Sequence, residues 1–190
     1  LEEIRNLNVL VAYSNITMLD ILNTCLGGEL LNDPEISERG YKKLIEWISY
    51  TDQSGSLREF NSPTYGPVVI RALKCLTDHV RNKDTRIRAQ TFSARLSLSI
   101  ALHIHPTIGR WVGPHSRAYQ PTIACEGPPE LNMINDWIAS GSIPAWINDV
   151  LKNSPLPFEI IETAIAEEIS LTTYHSQSFA LGVSTKETSG

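Results

Sequence analysis

Residues 62–103 read SPTYGPVVIRALKCLTDHVRNKDTRIRAQTFSARLSLSIALH, and this stretch decides the fold. After Ser62-Pro63, a start signal, Val69, Leu73, Leu76 and Val80 recur at three- and four-residue steps, the spacing of one helix face. Asp84 stands in capping position for a second helix, in which Ile87, Thr91, Leu98 and Ala101 run on to His103. The short connection between them makes the two helices a hairpin.

Upstream the pattern repeats. Leu10, Ile16, Leu19, Leu22 and Leu26 predict a helix over 9–26, whose end Gly27 and Gly28 loosen. Asp33-Pro34-Glu35 then supplies a capping Asp, a Pro at the first turn and an acid beside the positive dipole end. The helix it opens places Tyr41, Leu44, Ile45 and Ile48 on one face and fades near Gly55. Two hairpins roughly fifty residues apart are the signature of a solenoid or a closed α/α toroid.

Downstream the pattern breaks. Pro106, Gly109, Gly113, Pro114, Pro121, Gly127, Pro128 and Pro129 make 105–129 a long connection, of a length that usually marks function. Shorter helices are predicted over 129–139 and 144–152. Beyond Ser154-Pro155, the stretches 158–166, 170–175 and 179–185 are rich in Ile, Thr, Tyr and Phe and read as strands. The expected fold is therefore mainly α: helical hairpins of an incomplete α/α toroid over 1–154, then the first strands of an antiparallel, β-sandwich-like domain over 155–190. Three strands are barely enough for a stable sheet, so a second polypeptide or a missing C-terminal part is expected to complete it.

Composition narrows the function. The chain has 190 residues, 42% of them hydrophobic and 19% charged, which is globular. With 16 Lys+Arg scattered against 21 Asp+Glu, it lacks the basic stripe that nucleic-acid binding needs. No run approaches the ~20 apolar residues that span a bilayer. Cys25, Cys75 and Cys125 are odd in number and show no CxxC spacing, against a disulfide framework and a thiolate zinc site. His103 and His105 have no Cys or acidic neighbour at ligand spacing, so no metal is expected. Gly-rich phosphate loops, GxSxG, HExxH and GxGxxG are missing, and no cofactor is expected. Asn15-Ile16-Thr17 is a glycosylation sequon, relevant only in a secreted eukaryotic protein.

Three segments carry chemistry. Glu59-Phe60-Asn61-Ser62-Pro63-Thr64-Tyr65-Gly66 sits at the N-terminus of the third helix, where backbone N–H groups favour an anion. A plain capping role accounts for the same residues. Gly113-Pro114-His115-Ser116-Arg117-Ala118-Tyr119 lies in the long loop. Its His115, Arg117 and Tyr119 alternate, so an extended backbone points an imidazole, a guanidinium and a phenol to one side. Histidine serves as base near neutral pH, tyrosine donates a proton and arginine grips a carboxylate. Thr172-Thr173-Tyr174-His175 is the third, placing Tyr174 and His175 at the mouth of a cleft or on an ordinary strand face.

At these segments the sequence resembles the α/α-toroid polysaccharide lyases, the heparinase- and alginate-lyase-like proteins. EFNSPTYGPVVIRAL, VGPHSRAY and LTTYHSQSFALG carry the resemblance, with the two helix pairs and the handover to strands. It implies a helical toroid followed by a β-sandwich, and elimination next to a carboxylate in an acidic saccharide. It also implies roles: Asn61 and Arg117 neutralise the carboxylate, His115 is the base, and Tyr119 or Tyr65 protonates the leaving oxygen. Glu59, Tyr174 and His175 would bind substrate. A secreted or periplasmic location would follow. One departure is plain: such lyases often carry an adjacent Asn-His pair, and here Ser62 follows Asn61. The same groups would also serve a dehydratase, isomerase or cyclase of a small carboxylate-bearing molecule. A hydrolase needs two facing carboxylates, for which Glu59 is one candidate and Glu126 or Asp149 the other, with nothing in the sequence to place them together. A non-catalytic helical scaffold, binding a partner through the long loop, is the alternative outside enzymology.

Overall fold

The computed structural model describes residues 2–7, 9–119, 127–166 and 168–186. Their elements run α1 (Glu2–Asn6), α2 (Ser14–Leu31), α3 (Pro34–Ser54), α4 (Gly66–His79), α5 (Lys83–Leu102), α6 (Glu130–Ala139), α7 (Ile147–Asn153), β1 (Phe158–Ala164), β2 (Ile169–His175) and β3 (Ala180–Ser184). The protein is mainly helical and closes with a small antiparallel sheet in the order β1-β2-β3.

Two hairpins form the body: α2 packs on α3, α4 on α5, and α2 also lies against α4. Asp33 caps α3 as its spacing demands, its carboxylate accepting from the Ile36 N–H at 3.2 Å. Gly55, at φ 78°, ends that helix. Val69, Leu73, Leu76 and Val80 are all fully buried, as the helical spacing predicts. They join Met18, Ile21, Leu44, Trp47 and Phe92 in the core between the hairpins. The Glu29 carboxylate ties the pairs together by accepting the N–H groups of Arg81 and Asn82 in the α4–α5 turn.

Three expectations need correction. Helix α2 starts and ends five residues later than 9–26, with Gly27 and Gly28 inside it. A Cβ on Gly28 would sit 2.8 Å from Ser37 Cα, and one on Gly40 would sit 2.7 Å from Cys25 N, so these glycines let α2 and α3 touch backbone to backbone. The face chosen for α2 is also shifted: Leu10, Ile16 and Leu19 are exposed, Leu22 and Leu26 pack against the edge of the core, and Met18, Ile21 and Cys25 are buried. In α3 and α5 the exposed Ile45 and Ile87 depart from the expected inward faces in the same way. Finally, the cap of α5 is Asn82, which accepts from Thr85 N at 2.9 Å, and Asp84 stands in the first turn.

The sheet docks by one face. Leu171, Thr173 and His175 point inward from β2, with Thr172 and Tyr174 on the other side. Phe60 packs against Ala164, Ile169 and Leu171, which fixes the sheet over the start of α4. Among the described residues no helix is long and apolar enough to cross a membrane. Cys25 is buried and Cys75 half-buried, both free thiols, while Cys125 lies outside the described residues.

Candidate functional site

Two sequence-distant segments, 59–66 and 111–119, come together above α4. Asn61 makes the join, its backbone left-handed at φ 43°. The indole N–H of Trp111 can only donate, and it donates to Asn61 Oδ1, which fixes the orientation of the amide. Nδ2 then donates to the carbonyls of Val112 at 3.0 Å and Pro114 at 3.2 Å. Both amide hydrogens are thus committed to the loop. Next along, Ser116 donates from its N–H and its hydroxyl to the Phe60 carbonyl, at 3.1 and 2.8 Å. Glu130, at the start of α6, accepts from the Trp111 N–H at 3.1 Å and holds the loop from its far side.

This clamp sets His115. Its Nδ1 donates to the Asn61 carbonyl at 2.6 Å, so in the neutral ring Nε2 carries the lone pair. Burial lowers its pKa below the usual imidazole range, more than the Asn61 and Trp111 carbonyls raise it. The ring is therefore a neutral base at pH 7. Two residues on, Arg117 holds a left-handed φ of 53° and donates to the Tyr119 hydroxyl at 2.9 Å. The Tyr119 ring meets Tyr65 edge-on, centroids 6.2 Å apart. Arg117 also feels the charge of Glu59. Two left-handed non-glycine residues in one loop pair store strain at this place, as functional sites often do.

Glu59 bridges outward and inward. Its carboxylate accepts from the Asn15 N–H at the start of α2, at 3.1 Å. Burial raises its pKa above the usual carboxylate range, and Asn15, Arg117 and Arg58 offset only part of that. The same side chain lines a cavity of about 110 Å³ with Phe92, Arg95, Ser99, Trp111 and Glu162. Glu162 enters from β1 and is the residue that sequence reasoning missed. Its signal was there: Phe158, Ile160, Glu162 and Ala164 share one strand face, and a charge among them is anomalous. Behind it stands His103, with Nδ1 2.8 Å from the Ser99 carbonyl and Nε2 3.2 Å from Glu162 Oε2. Both partners are acceptors, so a proton resides on each side of the ring or on the carboxyl. Burial would raise the Glu162 pKa, but His103 and Ser99 outweigh it and hold it low.

Of the expected residues, Asn61 meets His115, while Glu59 and Tyr65 lie with Arg117 and Tyr119. The left-handed backbone at Arg117 breaks the extended run that would point His115, Arg117 and Tyr119 to one side. Tyr174 and His175 stand apart. Tyr174 lies on the opposite face of the sheet, its ring 6.2 Å from Phe179. His175 is fully buried, stacked on Phe158 at 4.2 Å and tilted against His105 at 5.4 Å. Of the hydrolase candidates, Glu126 lies outside the described residues and Asp149 sits in the first turn of α7. No cluster of three metal-binding side chains occurs among the described residues.

A body of helical hairpins with a small antiparallel sheet, and a cavity beside two hydrogen-bonded segments, defines the class of protein. Residues 2–125 match the domain of unknown function DUF8769, and the chain belongs to that family. The match takes in both clamped segments and stops short of the sheet. No curated protein and no solved structure matches the chain.

Proposed function

We propose that the two clamped segments form the acid/base site of a lyase acting beside a carboxylate in an acidic saccharide. The observation that carries this reading is the His115–Asn61 bond, which leaves Nε2 unprotonated in the same loop as the Arg117 guanidinium and the Tyr119 phenol. A C–H proton next to a charged carboxylate is barely acidic, and fixed donors around that carboxylate stabilise the charge that develops as it leaves. Arg117 would hold the carboxylate, and His115 would take the proton. Tyr119, already accepting from Arg117, or its neighbour Tyr65 would protonate the departing oxygen. Asn61 enters as a positioning residue, since both of its amide hydrogens are bound to the loop. A toroid closed by further hairpins and a sandwich closed by further strands belong to the same reading and rest on the resemblance.

Incubating the intact chain with a panel of uronate oligosaccharides tests it, followed by the ultraviolet absorbance of an unsaturated product. Replacing His115→Ala or Tyr119→Phe should cut turnover at least ~100-fold with circular dichroism unchanged, the usual scale for a lost acid or base. Unchanged turnover in both variants would sink the assignment.

A further inference from the structure

The cavity lined by Glu59 obeys a different charge logic from the exposed surface that carries Arg117. On that surface, Arg117 is bonded to a neutral phenol and is available to an anion. Inside, the cation in the wall, Arg95, is already paired with Asp52. His103 is likewise spent on Glu162. What the wall offers a ligand is the carboxylates of Glu59 and Glu162 and several serine and threonine hydroxyls, set among the apolar surfaces of Phe92, Leu96 and Trp111. Such a wall suits a molecule with C–H faces and hydroxyl edges, and it repels a carboxylate. Glu59 belongs to both places, lining the cavity and facing Arg117.

We infer that the cavity is a subsite for a neutral, hydroxyl-bearing sugar ring, with the uronate held outside it at Arg117. The substrate is then a saccharide in which a uronate is joined to a neutral sugar. Glu162, fixed by His103 and by the Ser99 hydroxyl at 3.4 Å, accepts the ring hydroxyls. This inference rests on the lyase reading for the uronate, but the cavity's preference stands by itself.

The test is a binding titration of the intact chain, which needs no turnover. Glucose, mannose, galactose and glucuronate are each added while the ring signals of His103 and the Tyr119 signals are followed by NMR. At least one neutral hexose should shift His103, and Glu162→Gln should weaken that binding about tenfold, the scale of one lost charge-assisted hydrogen bond. Glucuronate should move Tyr119 and leave His103 unmoved. Ser99→Ala, a smaller change, serves if Glu162→Gln does not fold, and should weaken binding in the same direction. A glucuronate shift of His103 as large as that of the hexoses overturns the inference, as does silence from every neutral hexose. Elimination from a pure polyuronate with no hexose binding would overturn the subsite and leave the lyase reading intact. Hexose binding without elimination would do the reverse.

Discussion

His175 has no hydrogen-bond partner for either ring nitrogen, and its place between Phe158 and His105 makes it the first group that acid should disturb. Burial, with the positive charge available to His105 and His103, lowers its pKa from 6.5 to about 4. Between those values the unfolded chain binds a proton that the folded chain refuses, so stability rises with pH across that window. The contribution is complete above about pH 6.5 and lost as pH falls toward 4, and it amounts to about 3 kcal/mol. His115 is held down in the same sense and adds to the slope. Urea midpoints measured between pH 4 and 7.5 should fall on acidification, and His175→Phe, which keeps the stacking, should flatten the curve without abolishing it. An unchanged slope in that variant would assign the acid sensitivity elsewhere. The imidazole of His175 was visible in the sequence as a candidate, but its direction was not. Strand parity fixes which residues share a face, and only the docking of the sheet decides which face is buried.

Glycines in α2 and α3 give predictions of opposite sign. Gly28→Ala and Gly40→Ala put a methyl into the backbone of the facing helix and should each cost about 1–3 kcal/mol, despite alanine's better helix propensity. Gly27→Ala meets nothing within 4 Å and should stabilise by about 0.5–1 kcal/mol. Thermal melts of the three variants check this, and a stabilising Gly28→Ala would refute the close crossing. The same residues explain what could be read in advance. Helices at these places followed from spacing and caps, because Asp33-Pro34 and the run from Val69 to Val80 satisfy local rules that tertiary packing did not override. Gly27-Gly28 misled because a glycine that ends a helix and one that admits a neighbour look alike in one chain. The inward face of α2 was unreadable for a related reason: apolar residues surround the helix, Ile16 and Leu19 facing out, Met18, Ile21 and Cys25 facing in, and Leu22 and Leu26 packed at the edge of the core. Asn82 and Asp84 are both good caps, and the choice fell to Asn82, whose N–H the Glu29 carboxylate also grips.

Viewed whole, the molecule leaves apolar surface in solvent on the outer side of its sheet. Ile161 is 69% exposed and Val183 52%, and both are paired in register with Thr172 of β2. A row of this kind favours association. Ile161→Lys with Val183→Lys should raise the concentration at which the chain stays monomeric in light scattering, with a stability change within about 1 kcal/mol, as befits surface positions. An unaltered association curve would locate the sticky surface elsewhere. The inner side of the sheet matters differently. Gly182 lies so close that a Cβ on it would sit 2.6 Å from the Gly113 carbonyl carbon, and Thr173 presses on Gly113 from the next strand. Gly113, at φ 108°, is the most permissive residue of the loop that carries His115, Arg117 and Tyr119. Its conformational entropy is removed by strands outside the segment that defines the family, so the order of that loop is lent to it by its neighbour in the fold.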